Sequence, residues 1–276
     1  MSRQRGAALL LVMWLVLLLS GLVAAYAMSA RIESLQGNGA ARGVVAGEAA
    51  RAGLELAVSR LLEQDPKQRW VADGRAYKLP FGGADVSVAI LDEAARIDLN
   101  AAPPTLLAGL FEELGEPRER ATRLAAAIVD WRDPDNLSQP VGGAEDPAYA
   151  SAGLAWGAKD APFDSVAELA QVLGMRPALV ASAVPHLTVY SGNAAPNANI
   201  ASPVVLAAMG LQPRTAPIDP DAPPASAGSG TYSIDSRARL PDGRSAHLSV
   251  VLRMGGNALP GSTYTPLRWQ AGSDAR

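Results

Sequence analysis

Hydrophobic and polar positions change their spacing several times along the chain, and each change predicts a different element. From Ala7 to Met28 there are 22 consecutive residues without a charged side chain. At about 1.5 Å of rise per residue, a helix of that length covers a bilayer core of roughly 30 Å. Beyond it the pattern becomes amphipathic. Leu54, Ala57, Val58 and Leu61 recur at i, i+3, i+4 and i+7, while Glu48, Arg51, Glu55 and Glu63 fall on another side. This predicts that the helix continues over residues 29–64 and packs one face on a globular head. Gly37, Gly39, Gly43, Gly47 and Gly53 weigh against it, at about 1 kcal/mol each relative to Ala. Asp65–Pro66 closes the helix. The period then drops to two: Arg75–Leu79 and Ala84–Leu91 read as strands joined at Gly82–Gly83.

Helical spacing returns after Ile97-Asp-Leu-Asn-Ala-Ala-Pro-Pro, in Thr105–Leu114 and Pro117–Asp130, separated by Gly115. Pro103 and Pro104 suit the start of a helix. Ser165–Leu173 and Pro177–Val184 read as a second helical pair about Gly174. The phrase Asn100-Ala-Ala-Pro103-x-x-Leu106 has an echo in Asn199-Ile-Ala-Ser-Pro203-x-x-Leu206, with Ser202 as a natural N-cap. Residues 96–211 are thus expected to form an inserted α-helical domain. The proline-rich stretch 212–230 has little to bury and reads as a linker. Strand spacing resumes in Thr231–Leu240 and His247–Arg253, around a turn at Pro241-Asp242-Gly243. A lone hairpin is marginal in water. The expected fold is therefore α+β: a long N-terminal helix packed on a small antiparallel sheet, built from residues 65–95 and 231–276, with the helical domain inserted between them.

Composition narrows the functional classes. The 276 residues carry a net charge of −3 and no cysteine, so there is neither a disulfide framework nor a thiolate metal site. An acidic balance argues against a nucleic-acid partner. With only His186 and His247, a His-based metal centre or a Ser–His–Asp site has little to draw on. Arg3 and Arg5 precede the apolar run, which orients residues 1–6 to the cytoplasm and the bulk of the chain outward. A secretory signal peptide has an apolar core of about 7–15 residues followed by a small-x-small site. Here the run is longer and passes without a cut into Ser29–Arg31–Glu33, which favours an anchor.

The densest set of oxygen ligands lies in Asp130-Trp-Arg-Asp133-Pro-Asp135-Asn136, followed by Gly143-Ala-Glu145-Asp146. Carboxylates in a turn-rich loop suit a hard cation, calcium before magnesium, which takes six to eight oxygens at about 2.3–2.6 Å. The loop is not an EF-hand: counting from Asp133, the sixth position is Ser138 and the twelfth Ala144. On local chemistry alone, solvated carboxylates and helix caps remain the alternative, and Asp130 could cap or pair locally.

A short basic leader ending in Gly6, followed at once by an apolar helix, resembles the start of type IV prepilins and type II secretion pseudopilins. Several further pieces extend the resemblance over nearly the whole chain: Ile97-Asp-Leu-Asn, Asp130-Trp-Arg-Asp-Pro-Asp135, Gly143–Asp146 with Tyr149, Glu168-Leu with Val172-Leu-Gly-Met175, Asn197-x-Asn199, and the closing hairpin. On these the chain is identified as a member of the K-type minor pseudopilin family of type II secretion. The resemblance implies cleavage between Gly6 and Ala7 by a prepilin peptidase, with methylation of the new N-terminus. It also implies a single-pass inner-membrane protein with its head in the periplasm. Most pseudopilins carry Glu at the fifth mature position, where it is taken to meet the N-terminal amine of a neighbour; here that position is Leu11. A subunit lacking this Glu, with an oversized head, is expected at the tip of the pseudopilus. The implied partners are the I-type and J-type minor pseudopilins and the inner-membrane secretion platform. The implied cofactor is structural calcium, with Asp133, Asp135, Glu145 and Asp146 as the candidate ligands, and no catalytic residue is expected.

Two other functional classes fit these residues less well. The helix–Gly–helix units at Gly115 and Gly174 resemble helix-hairpin-helix DNA-binding motifs, but each lacks the second glycine and Glu116 would repel phosphate. A hydrolase finds no Gly-x-Ser-x-Gly elbow and no His-Glu-x-x-His.

Overall fold

The computed structural model describes residues 5–212, 228–255 and 263–274. The leader residues 1–4 and most of the proline-rich linker lie outside the described residues. Helix α1 (Arg5–Leu61) is one continuous helix of 57 residues. Its segment Leu9–Ser29 is long and apolar enough to cross a membrane, and none of it is buried within the protein. The other end of α1 is the spine of the head. Ala46, Ala49, Ala50, Leu54, Ala57 and Val58 are all buried against the sheet, so the periodic stripe read from the sequence is the face that packs.

The sheet is formed by β1 (Asp73–Phe81), β2 (Ala84–Asp92), β5 (Thr231–Arg239), β6 (Ser245–Met254) and β7 (Tyr264–Asp274), in the order β1-β2-β5-β6-β7 with every neighbouring pair antiparallel. Alternation in β2 puts Ala84, Val86, Val88 and Ile90 on the side facing α1. Ile234, Leu248, Val250 and Leu252 complete that core. Burying each large aliphatic of this set contributes about 1.5–3 kcal/mol. Gly53 marks the closest approach of helix and sheet. A Cβ there would lie 2.8 Å from Val86 Cγ1 and 3.0 Å from Val88 Cγ2, and nearer still to Ser236 Oγ. The glycine that weakens the helix as an isolated element lets it seat on the strands.

Between β2 and β5 lies the mainly helical insert, comprising α2 (Pro104–Glu113), α3 (Arg118–Arg132), α4 (Asp146–Ser151), α5 (Pro177–Ala183) and α6 (Pro203–Ala208). A two-residue parallel ribbon, β3 (Ile97–Asp98) with β4 (Leu187–Thr188), ties the start of the insert to the segment between α5 and α6. The core of the insert gathers Leu107, Leu110, Phe111, Leu124, Ile128, Trp131, Tyr149 and Leu169, and shares no residue with the core of the head.

Two expectations change here. Val166–Gln171, within the segment read as a helix from Ser165, is a 3-10 turn. Ser165 and Glu168 form a reciprocal capping box, and Glu168 Oε1 also accepts from the Asp164 N–H at 3.0 Å, so the short segment winds tightly around its own first turn. Strand β7 had no counterpart in the hydrophobic pattern. Its Pro266 is tolerated because β7 is an edge strand, and the register shifts beside it at Val251/Leu252.

Candidate metal centre

The acidic loop begins where α3 stops. Asp130, fully buried in the last turn of α3, turns the loop back on the helix: Oδ1 accepts from the Gln139 N–H at 3.1 Å and Oδ2 from the Ala144 N–H at 2.6 Å. Gly143 is needed at this crossing, since a Cβ there would collide with Asp130 Oδ2 and the backbone of Gln139. Trp131, one residue on, points into the core, with ring centroids 6.1 Å from both Tyr149 and Phe163. Arg132 points the other way and donates to the carbonyls of Leu99 and, at 2.8 Å, Ala102. The Asp-Trp-Arg-Asp string thus sends alternate side chains to the loop, the core and the neighbouring turn.

A second strap crosses from the Ile97-Asp-Leu-Asn phrase. Ile97 and Leu99 are buried in the core. Asp98 Oδ2 accepts from Ser191 Oγ at 3.0 Å and the Gly192 N–H at 2.7 Å. Asn100 donates through Nδ2 to the Phe163 carbonyl at 3.0 Å and accepts the Phe163 N–H at 2.7 Å. This two-point clamp fixes the segment that carries Asp160.

Burial and charge converge around Glu145. It is 4% exposed, and neither carboxylate oxygen has a hydrogen-bond partner. Burial, followed by the charges of Asp130, Asp160, Asp133 and Asp135, pushes its pKa up to about 7. Asp133 is also raised, first by burial and then by the neighbouring carboxylates, and its Oδ1 is buried and unpartnered. So is Oδ1 of Asp160, which adopts a φ of +52°. Asp135 is exposed, and its Oδ1 accepts the Leu137 N–H at 2.8 Å. Asp146 opens α4 on the surface, and its Oδ1 accepts the Ala158 N–H at 3.1 Å.

Of the four sequence candidates, then, Asp133 and Glu145 supply orphan oxygens, while Asp135 and Asp146 each hold a backbone N–H. Asp160 was missed. It stands alone in a loop, 27 positions from Asp133 in the numbering, and no spacing rule marks it. Among the described residues, no three such side chains already converge on one point as a cage. One buried carboxylate and two part-buried ones, each with buried oxygens that lack a partner, nevertheless have the chemistry that a hard cation neutralises.

Several other charged groups of the insert are paired. Glu116 takes Arg120 Nε at 2.9 Å and a short contact from Arg176, so the glycine turns present a closed ion pair instead of a bare phosphate cradle. His186 Nδ1 lies 3.3 Å from Ser202 Oγ, and His247 Nε2 3.1 Å from Asp235 Oδ1 on the distant sheet.

Residues 88–192 match the family model described as Type II secretion system (T2SS), protein K. The Type II secretion system protein K of Klebsiella pneumoniae is 29% identical over 209 residues, covering 67% of this chain and 62% of that protein. Its counterpart in Pectobacterium carotovorum subsp. carotovorum is 26% identical over 215 residues, covering 67% and 63%. The matches thus span a little under two thirds of these relatives. A chain in the crystal structure of the GspK-GspI-GspJ complex from enterotoxigenic Escherichia coli Type 2 Secretion System superposes with a TM-score of 0.57 at 17% identity, over 88% of this chain and 98% of that one. The shared architecture and the family match across the insert agree with the motifs read from the sequence: residues 88–192 carry the type II secretion system protein K domain, and the chain as a whole is similar to members of that family.

Proposed function

We propose that the chain is a non-enzymatic minor pseudopilin, seated at the tip of a periplasmic pseudopilus that serves the export of folded proteins. The observation that carries this reading is the helix α1. A single rod supplies an apolar span without an acid, including Leu11, and then becomes the core helix of the head. A carboxylate within the hydrocarbon costs roughly 2.5–3.5 kcal/mol unless a partner offsets it. A span without one neither requires such a partner nor offers one to a subunit above. The bulky insert points the same way, since its own core makes it a body too large for tight stacking within a filament.

In this reading the prepilin peptidase cuts between Gly6 and Ala7, and the new N-terminus is methylated. The protein then sits single-pass in the inner membrane with its head in the periplasm. Its neighbours are the I-type and J-type minor pseudopilins and the inner-membrane secretion platform. N-terminal sequencing of the mature protein from membranes tests the reading: Ala7 is expected as the first residue. A retained Met1, or a start beyond Met28, would refute it.

We also propose calcium as a structural ligand of the acidic loop. Asp133, Glu145 and Asp160 offer the orphan oxygens, with Asp130 and Asp135 beside them. The cation would neutralise their charges and order the loop. Thermal unfolding with calcium and with chelator decides this, and an unchanged midpoint would remove the proposal.

A further inference from the structure

The head and the insert keep separate apolar cores. Two bodies without a large shared apolar interface are expected to move relative to one another. Here a buried polar node lies where the chain passes from one to the other. Asp92 and Glu93, at the end of β2, are 3% and 0% exposed. Asp92 accepts the Ala94 N–H at 2.9 Å on the outgoing chain. On the returning chain it accepts the Ser229 N–H at 2.7 Å, together with the Ser229 hydroxyl.

Glu93 reaches both bodies at once. Oε1 accepts from Arg96 Nη1 at 3.0 Å and from the hydroxyl of Ser233 on β5, in the head. Oε2 accepts from the hydroxyl of Thr188 on β4, in the insert. Arg96 Nη1 closes the ring by donating to Ser233 Oγ at 3.3 Å, and the Asn197 N–H donates to the Ala94 carbonyl at 2.7 Å from the far side. A carboxylate so placed has little use as a stabiliser, because desolvating it offsets most of what its partners return. What such a group supplies is direction: each hydrogen bond is met in one relative orientation, and any rotation strands a buried charge.

We propose that the Asp92–Glu93 carboxylates form a rigid joint that fixes the orientation of the insert on the head. The Ser233–Glu93–Thr188 bridge is its pivot. Movement of α1 is then carried to the insert as movement of one body, although no apolar core is shared.

The chain has no cysteine, so paired spin labels can be placed in the full-length protein in detergent. Lys78→Cys on β1 and Glu119→Cys on α3 lie on exposed positions of the two bodies. Pulsed dipolar spectroscopy is expected to give one narrow distance distribution in this background. Glu93→Ala is expected to broaden it about two-fold while secondary structure and a cooperative thermal transition persist, since local freedom is released without global unfolding. Glu168→Ala, which removes a carboxylate bonded within the insert alone, is the control and should leave the width unchanged. Where Glu93→Ala does not fold, the double variant Thr188→Val with Ser233→Ala decides by the same measure, because it removes both bridging hydroxyls and leaves the carboxylate. A width unchanged in a folded joint variant, or a distribution already broad in the labelled background, would overturn the joint.

Discussion

Gly53 offers a sharp test of how helix and sheet are held together. Alanine at this position would place its Cβ 2.8 Å from Val86 Cγ1 and 3.0 Å from Val88 Cγ2. Favourable carbon contacts lie at about 3.5–4.0 Å, so the shortfall approaches 1 Å on two sides. Both valines are β-branched and buried, and neither can swing away without leaving its preferred rotamer. The helix must lift off the strands instead, at a cost of roughly 1–3 kcal/mol for overpacking. Alanine also gains about 1 kcal/mol of helix propensity over glycine, which masks part of that strain. The mask is removed by comparison with Gly47→Ala on the same helix, where nothing lies within 4 Å of the added carbon. Subtracting one variant from the other cancels the propensity and leaves the strain. Near-ultraviolet circular dichroism of the stacked Trp70–Tyr77 pair, with centroids 4.1 Å apart, follows melting of the head. At about 2–4 °C per kcal/mol for a chain of this size, Gly53→Ala is expected to melt roughly 2–12 °C below Gly47→Ala. Equal midpoints, or a higher one for Gly53→Ala, would refute close packing as the reason for glycine.

Asn100→Ala leaves the Phe163 N–H and carbonyl unpaired, and should lower stability by about 1–3 kcal/mol in chemical denaturation. If Asn100 positions Asp160 for the cation, the same variant also narrows the midpoint gap between calcium and chelator. Glu145→Gln removes the most strongly perturbed charge of the cluster, so the chelated protein should melt no lower than the parent while the calcium-dependent rise disappears; a full rise in the variant would exclude Glu145 as a ligand. Burial, and then the positive charge of Arg96, lowers the pKa of His186 below its usual 6.5. The folded state therefore binds this proton less readily than the unfolded chain, and its contribution is full above about pH 6.5 and lost as pH falls below it. His186→Gln should flatten the fall in melting temperature on that acid side, and an unchanged slope would contradict the assignment.

Much of this architecture was readable in the spacing of apolar residues. Leu54, Ala57 and Val58 are buried as their helical period requires, and Asp242-Gly243 turns between β5 and β6 with Gly243 at a φ of +88°. What escaped depended on partners far away in sequence. Strands β3 and β4 are two residues each and exist only because Ile97 meets Leu187. Strand β7 sits at the edge, half exposed, so its side chains were under no pressure to alternate. In the acidic loop the sequence named Asp133 and Glu145, which carry oxygens without a partner, together with Asp135 and Asp146, which each hold a backbone N–H. It passed over Asp160, which the Asn100 clamp brings in from another turn. Helix propensity treats Gly47 and Gly53 alike, whereas an added Cβ would meet nothing within 4 Å at Gly47 and would collide with strand side chains at Gly53.

The reach of α1 has a mechanical consequence. Ala46 is the first described residue of the helix that is buried against the sheet, 17 positions beyond the end of the apolar span at Ser29. At about 1.5 Å per residue the first seat of the head lies some 25 Å above the lipid. Such a stalk is a lever. A tilt of about 10° at its foot swings that seat sideways by roughly 4 Å, about the spacing between adjacent strands. Small changes in how the rod stands in the bilayer would therefore be felt at the sheet as steps the width of a strand.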